Sequence, residues 1–486
     1  MFSSQLNFKH CMQSCSLMAI LFVLVNSSLS HAAEILVNAR PGAFGCDLLE
    51  AIESANSSSS IGGCSSGSDG QDTIRFFAGF TRYELPDIEF TSSTGSSGTP
   101  EITSDIRIIG QRQAPLVIAR PLLQGDTFRA FTVAVVGSLT LENVSLQNFG
   151  QTAGFTGGAI RVAGSLTMNN VEIADSFASF GGGIWVQGGS AVIHNSLIRH
   201  NRAVQQGGGI GLSAISTVTV FDSTISSNVS DIGAGIALSA LPDSNLSLYN
   251  TTITENTAAV RGGGLSLLMA GVGSSNSAVL HNNIISGNTA PVSKEAHFVS
   301  AESASELGIR NNVLGHSANT YVESVNIFDF VFNNNLPATR SATNAASLRS
   351  ILGPLEANGG STMTHALLEG SLAIDAGLQF YVTDGPLFFF HIPGCRGEQT
   401  LLGPGEFRPD QRGVARPLGV ECDIGAYEYQ PPDVGDPPDG GGPPDGGDPP
   451  DDGDPPDGGG SPDEDPSEQA CYNVKAKNGS VIMFCL

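Results

Sequence analysis

The side chains best placed for chemistry form a column: Glu142, Asn169, His194, Phe221, Tyr249 and His281 recur at the same position of successive repeats. Aligned repeats would stack them about 4.8 Å apart. His194, Phe221, Tyr249 and His281 make this a candidate outward binding stripe for a glycan or a metal, although no two histidines are adjacent in it. Asp175 and Asp222 stand where sister repeats carry Asn, which points to turn formation ahead of catalysis. A third group, Asp375, Asp410, Arg412, Arg416, Asp423 and Glu428, could be a ligand site or a salt-bridged scaffold. Glycosidic hydrolysis needs two carboxylates on one face, and lyase chemistry needs a base with a cation to stabilise the carbanion. No catalytic set of either kind is legible, and no cofactor or metal site is expected.

The element that must position these residues is a repeat. Gly157-Gly158-Ala159-Ile160 returns as Gly181-Gly182-Gly183-Ile184, Gly207-Gly208-Gly209-Ile210, Gly233-Ala234-Gly235-Ile236 and Gly262-Gly263-Gly264-Leu265, at intervals of 24, 26, 26 and 29 residues. After each motif comes an alternating strand, such as Leu166 to Asn170 or Ala191 to Asn195. A third strand centres on Leu146, Ile173, Ile198, Ile225, Ile253 and Ile285 and ends at Asn148, Asp175, Asn201, Asn228, Asn256 and Asn288. Three short strands per period predict an all-β parallel β-helix, with Gly and Asn at left-handed corners. A solitary Gly-Gly-Gly-Ile reads as a phosphate-cradling loop; recurring inside a strand period, it is a corner.

The flanks complete the organisation. Lys9 and His10 precede an apolar run from Ser16 to Val25, and Ser30 and Ala32 suit cleavage, so residues 1–32 read as a signal peptide and the mature chain as exported, with no transmembrane segment. Two of the 8 Cys leave with it. The remaining six fall into local pairs, predicting disulfides Cys46 to Cys64, Cys395 to Cys422 and Cys471 to Cys485. Asp47 as N-cap and Glu50 three residues on predict a capping helix over 46–56, with Leu48, Leu49 and Ile52 on its apolar face, within a cap segment 33–71. Repeats fill 72–345 and a separate module 346–430.

Residues 431–470 hold 12 of the 26 Pro and 13 acidic residues with no Lys or Arg, so this stretch carries 13 of the net 25 negative charges and reads as a disordered, extended spacer. It lacks the Asp-x-Asp-x-Asp-Gly pattern of a calcium loop. Residues 471–486 read as a disulfide hairpin turning at Asn478-Gly479. With 22 Lys and Arg against 47 acids, nucleic acid is excluded as a partner. An extracellular glycan or cell-surface partner of a monomer is the expectation.

Two stretches carry family resemblances. Cys46-Asp47-Leu48-Leu49-Glu50-Ala51-Ile52, Ala55-Asn56 and Asp72-Thr73-Ile74 resemble the Cys-Ser-Leu-Arg-Glu-Ala-Ile segment that opens many exported bacterial β-helix proteins, departing at Asp47 and Leu49. Asn358-Gly359-Gly360, Thr364-His365-Ala366-Leu367, Ala373-Ile374-Asp375-Ala376-Gly377, Asp410-Gln411-Arg412-Gly413 and Cys422-Asp423-Ile424-Gly425-Ala426-Tyr427-Glu428 closely resemble the choice-of-anchor Q module, over residues 352–428. The resemblance implies a right-handed coil in an exported bacterial protein, with the module finishing the coil ahead of a surface-attachment tail, and implies no reaction. A non-enzymatic adhesion, binding or structural role follows. The alternative is a carbohydrate-active enzyme, a polysaccharide lyase or glycoside hydrolase, since such enzymes share the fold; the Asp-Asp, Gly-His-Gly and Arg-x-Lys blocks of polygalacturonases do not occur.

Overall fold

The computed structural model describes residues 32–431, apart from 112–114, 123–124, 153, 240–242, 270–275, 301–305, 316–319, 325–335, 338–350, 379, 383–390, 394 and 396–407, together with the strands at 471–475 and 481–485. The signal-peptide and spacer assignments lie outside the described residues.

Alternating strands joined by left-handed corners can only wind, and the chain does so in parallel register. One turn runs Ile160–Val162, Ser165–Asn169, Glu172–Ala174 and Phe177–Phe180, and the next begins at Gly181. Stacked turns give four sheets, numbered here in that order. Sheet 1 has eight strands, from Phe131–Val133 to Thr320–Ser324. Sheet 2 has ten, from Glu34–Val37 to Glu306–Arg310, and sheet 3 has ten, from Arg82–Glu84 to Leu336–Pro337. Sheet 4 is the strand that periodicity alone does not predict. It has four members, Phe177–Phe180, Arg202–Gln206, Val229–Ile232 and Thr257–Arg261. Its inward residues are small (Ala178, Ala203, Ser230 and Ala258), so it lacks the large apolar alternation that marks the other three.

The core is one apolar column, with Leu166, Ile193, Val220, Leu248 and Leu280 from sheet 2 meeting Ile173, Ile198, Ile225 and Ile253 from sheet 3 and Ile184, Ile210, Ile236 and Leu265 from sheet 1. Burying each such side chain contributes about 1.5–3 kcal/mol. The first glycine of each motif takes φ between +59° and +69°; at Gly207 an added Cβ would also stand 2.5 Å from the Ile210 carbonyl oxygen. Gly is therefore required at this corner on two counts.

Two asparagine sets that look like one in the sequence have different jobs. Asn148, Asp175, His200, Ser227 and Glu255 are the left-handed corner between sheets 3 and 4, with φ from +54° to +65°. Asn201, Asn228, Asn256 and Asn288 lie one residue further on, fully or almost fully buried. Each Oδ1 accepts the backbone N–H of its counterpart in the preceding turn (Asn201 to Asn228 2.9 Å, Asn228 to Asn256 2.9 Å, Asn256 to Asn288 3.0 Å). The corner tolerates several residue types because only its backbone angle is constrained. The buried slot needs an amide, which supplies donor and acceptor together. The ladder ends on Glu295, whose carboxylate accepts the Asn288 backbone N–H and side-chain amide at 3.1 and 2.9 Å.

Leu48–Ser57 is the single α-helix among the described residues, and its capping box is formed as expected, Asp47 accepting from the Glu50 N–H and Glu50 from the Asp47 N–H. Leu48, Ala51, Ile52 and Ala55 face the core, while Leu49 is only partly covered; the buried Tyr83 hydroxyl accepts the Leu48 N–H. Disulfides join Cys46 to Cys64 and Cys395 to Cys422. Among the described residues no helix is long and apolar enough to cross a membrane. In the C-terminal unit, Cys471–Lys475 pairs antiparallel with Val481–Cys485, placing Cys471 opposite Cys485; the predicted bond between their side chains lies outside the described residues.

Candidate functional site

Register places the stripe as its spacing predicts: Asn169 pairs with His194, His194 with Phe221, Phe221 with Tyr249, and Tyr249 with His281, all facing out of sheet 2. The His194 and Phe221 rings stack at 4.8 Å and 4°, Phe221 and Tyr249 at 5.1 Å and 15°, and Tyr249 meets His281 edge-on at 5.8 Å. Glu142, in register with Asn169 as the spacing predicts, accepts from Arg107 Nε and Nη2 at 2.9 and 2.8 Å.

The stripe is not an open surface. Tyr249 and His281 are buried, and the Arg408 guanidinium lies 4.0 Å from the Phe221 ring centre. Arg408 also donates to Asp222 Oδ2 at 3.2 Å and meets His194 Nδ1 at 3.2 Å. Burial, with Arg408 adding to it, holds the His194 imidazole down at about 4, so it is neutral and accepts from the arginine.

Arg408 belongs to the C-terminal module, and its position corrects the expectation that the module simply finishes the coil. The module lies lengthwise on the outer face of sheet 3. Thr362 donates to the Asn195 carbonyl, Thr224 to Gln411 at 2.6 Å, and Ser226 bonds His365 at 2.9 Å. The Ala426 N–H reaches Thr252 at 3.1 Å, the Gly425 N–H the Asn282 carbonyl at 2.9 Å, and Asn311 the Ala376 carbonyl at 2.8 Å. These contacts span successive turns from Asn195 to Asn311. Beneath them Ile284 and Val313 of the coil share a small core with Ile351, Leu352, Leu367, Ala373 and Ile424 of the module. A sequence signal for this exists: the outward residues of sheet 3 change from Glu172 and Arg199 to Thr224, Ser226, Thr252, Thr254 and Ile284, which are buried on both faces.

The centre of the junction is Asp222. It keeps the left-handed corner (φ +44°) that Asn143, Asn170, Asn195, Asn250 and Asn282 share, so turn formation is correct for it as for Asp175. It is also a buried anion: Asn250 donates to it at 3.1 Å, Arg408 at 3.2 Å, and Arg416 lies at 3.7 Å. Burial pushes the carboxyl up while the two arginines and the amide oppose this. This partnership between a corner residue and the module had no counterpart in sequence spacing.

The six polar residues of the module form one network. Arg412 bonds Asp410 at 2.8 Å and covers the Tyr427 ring at 3.6 Å; Arg416 bonds Glu428 at 3.2 Å and the Asp423 and Gly425 carbonyls. Asp423 accepts the Asp375 N–H at 2.8 Å and the Tyr429 N–H, and burial with nearby Glu428 pushes it up to about 7. Every carboxylate here is committed to an arginine or a backbone N–H. Among the described residues no cluster of His, Cys, Asp or Glu is arranged to hold a metal ion.

A family model described as right handed beta helix region matches residues 131–335, the span that contains the glycine motifs and the stripe. The coil is a right-handed parallel β-helix. No curated protein and no solved structure matches the chain. What distinguishes this β-helix is therefore read from its own side chains: an aromatic stripe and a corner aspartate that receive the arginines of a laterally docked module.

Proposed function

We propose that the β-helix is an exported, surface-associated scaffold with a non-enzymatic adhesion or binding role, carrying a C-terminal module of the choice-of-anchor Q kind and tethered through residues 431–486. The observation that carries this reading is the fate of the groups able to do chemistry. Asp222, Asp410, Glu428, Glu172 and Glu142 are each ion-paired to an arginine of the same chain. A general acid or base must be free to exchange its proton with substrate. These carboxylates are instead used to hold turns and module together.

One pair favours the carbohydrate-active alternative. Asp175 and His200, adjacent on the open corner column, approach to 4.0 Å and are about half exposed. Incubation of the purified protein with a panel of acidic and neutral polysaccharides separates the readings. The scaffold reading expects no new reducing ends and no unsaturated products, together with retention on cells that is lost on deleting residues 431–486. Turnover abolished by Asp175→Asn would overturn it.

A further inference from the structure

The Cys395–Cys422 disulfide stands at the seam between module and coil, and both of its cysteines are fully buried there. Asn282, a corner residue of the coil, grips the module backbone beside it. Its Oδ1 accepts the Leu378 N–H at 3.1 Å, while its Nδ2 donates to the Leu378 carbonyl at 2.9 Å and lies 3.7 Å from Cys395 Sγ. The Gly377 N–H donates to the Cys422 carbonyl at 2.7 Å, and a Cβ on Gly377 would stand 2.9 Å from Cys422 Sγ. Disulfide, glycine and corner amide are therefore in direct contact.

The same bond sets where Arg408 hangs. Cys395 donates its N–H to the Leu378 carbonyl at 3.1 Å, and its own carbonyl accepts the Arg408 N–H at 2.7 Å. From that backbone position the Arg408 side chain covers the Phe221 ring and holds Asp222 and His194. Other attachments of the module, from Thr362 to Asn195, Thr224 to Gln411 and Ser226 to His365, are neutral hydrogen bonds, individually weak because the same groups bond water when apart. Coil and module also differ in what they need. Among the described residues the apolar column of the coil contains no residue of the module, whereas the small core of the module requires Ile284 and Val313 of the coil.

We propose that Cys395 and Cys422 are a redox fastener: the coil folds whether they are thiols or a disulfide, and only the disulfide seats Arg408 over the stripe and holds the module down. The two cysteines are 27 residues apart, and closing that loop removes freedom from the unseated module that docking would otherwise have to remove. Closure is a thiol–disulfide exchange with an oxidised dithiol. One cysteine thiolate attacks a sulfur of that partner, the second cysteine displaces it from the mixed disulfide, and it leaves as the reduced dithiol with the two electrons and two protons. Seating then buries both sulfurs and closes the bond to the reverse exchange. The device is open in a reducing compartment and shut in an oxidising one. It stands apart from the adhesion reading and assigns no ligand.

His194 reports the seat of Arg408, because burial and that guanidinium together hold its imidazole at about 4. Its NMR titration is followed in the full oxidised chain, in Cys395→Ser/Cys422→Ser and in Arg408→Gln, with hydrogen exchange as the second readout. The His194 midpoint should rise by about one pH unit or more in both variants. The Asn228 amide of the coil should stay protected in both, and the Gly377 amide of the module should lose protection in the double-serine variant alone. Native wild type held in dithiothreitol should leave Cys395 and Cys422 unalkylated until it is denatured. An unmoved His194 in the double-serine variant refutes the fastener and reduces the bond to a staple, and an unmoved His194 in Arg408→Gln refutes the part given to Arg408. Lost protection at Asn228 refutes the independence of the coil, and alkylation of the native chain refutes the sealing.

Discussion

Arg408 lies over the face of Phe221, 4.0 Å from the ring centre, while its Nε holds the Asp222 carboxylate of the next residue at 3.2 Å. One side chain of the module thus grips two consecutive residues of a single turn, one through its π face and one through its charge. Cation–π contacts of this kind are worth about 0.5–2 kcal/mol, depending on desolvation.

Asp222→Ala is the sharpest test of that grip. It leaves Arg416, fully buried, without its coil-side anion, and losing one partner of a buried ion pair costs about 3–5 kcal/mol. Asp222→Asn should cost less, because Asn is the usual residue of this corner and keeps acceptor capacity toward Arg408. Thermal melts should rank wild type above Asn above Ala, with limited proteolysis cutting the module first in the Ala variant; equal melts for Ala and wild type would refute the clasp.

Asn228→Ala should break the internal ladder in the middle. It orphans the Asn201 N–H and removes the amide donors to the Ile198 carbonyl and Asn256 Oδ1. Each buried group left unpaired costs about 1–3 kcal/mol. Hydrogen exchange should show loss of protection at Asn201, one turn away, whereas Ser227→Ala at the adjacent corner should leave that amide protected.

Glycine substitutions separate backbone angle from crowding. Gly188 and Gly207 both have positive φ, +75° and +67°, but an added Cβ at Gly188 meets nothing within 4 Å. Gly188→Ala should cost only the left-handed strain of about 1–2 kcal/mol. Gly207→Ala must also displace the Ile210 carbonyl and should lower the denaturation midpoint further. Equal midpoints for the two would show that the corner relaxes freely.

Two buried groups should give opposing pH slopes. His194 is held at about 4, below its free value of 6.5, so its contribution is complete above pH 6.5 and is lost as pH falls toward 4. Glu295 is pushed by burial to about 7 from 4.5, so its contribution is complete below pH 4.5 and is lost as pH rises toward 7. Between these limits the slopes oppose each other in the wild type. His194→Asn should steepen the fall of stability with rising pH, and Glu295→Gln should make it shallower, Asp423, also pushed up to about 7, keeping a slope of the same sign as Glu295 in both variants. Urea midpoints from pH 4.5 to 6.5 that move the other way in either variant would reject the assignment.

The sequence makes the coil readable because its strongest signals are local: Ile184 and its counterparts are fixed by the motif beside them, and Asp47 with Glu50 announces its helix within four residues. Sheet 4 escapes because Ala178, Ala203 and Ser230 face inward with little apolar weight. The burial of Tyr249 and His281 escapes for another reason. Asp222 and Arg408 are 186 residues apart, and nothing in a repeat period says which of its outward faces will be covered. The change from Glu172 and Arg199 to uncharged Thr252 and Ile284 is the one visible trace of that cover.

The lateral seat of the module decides how the coil would meet a load if residues 431–486 tether it as proposed. The chain leaves this unit at Pro431, from the module and not from the last turn of the coil. A pull transmitted through that point meets bonds on Asn195, Asp222, Thr252, Asn282 and Asn311 side by side. Tension is then shared in shear across several turns, where a tether on the terminal strand would peel turns away one at a time.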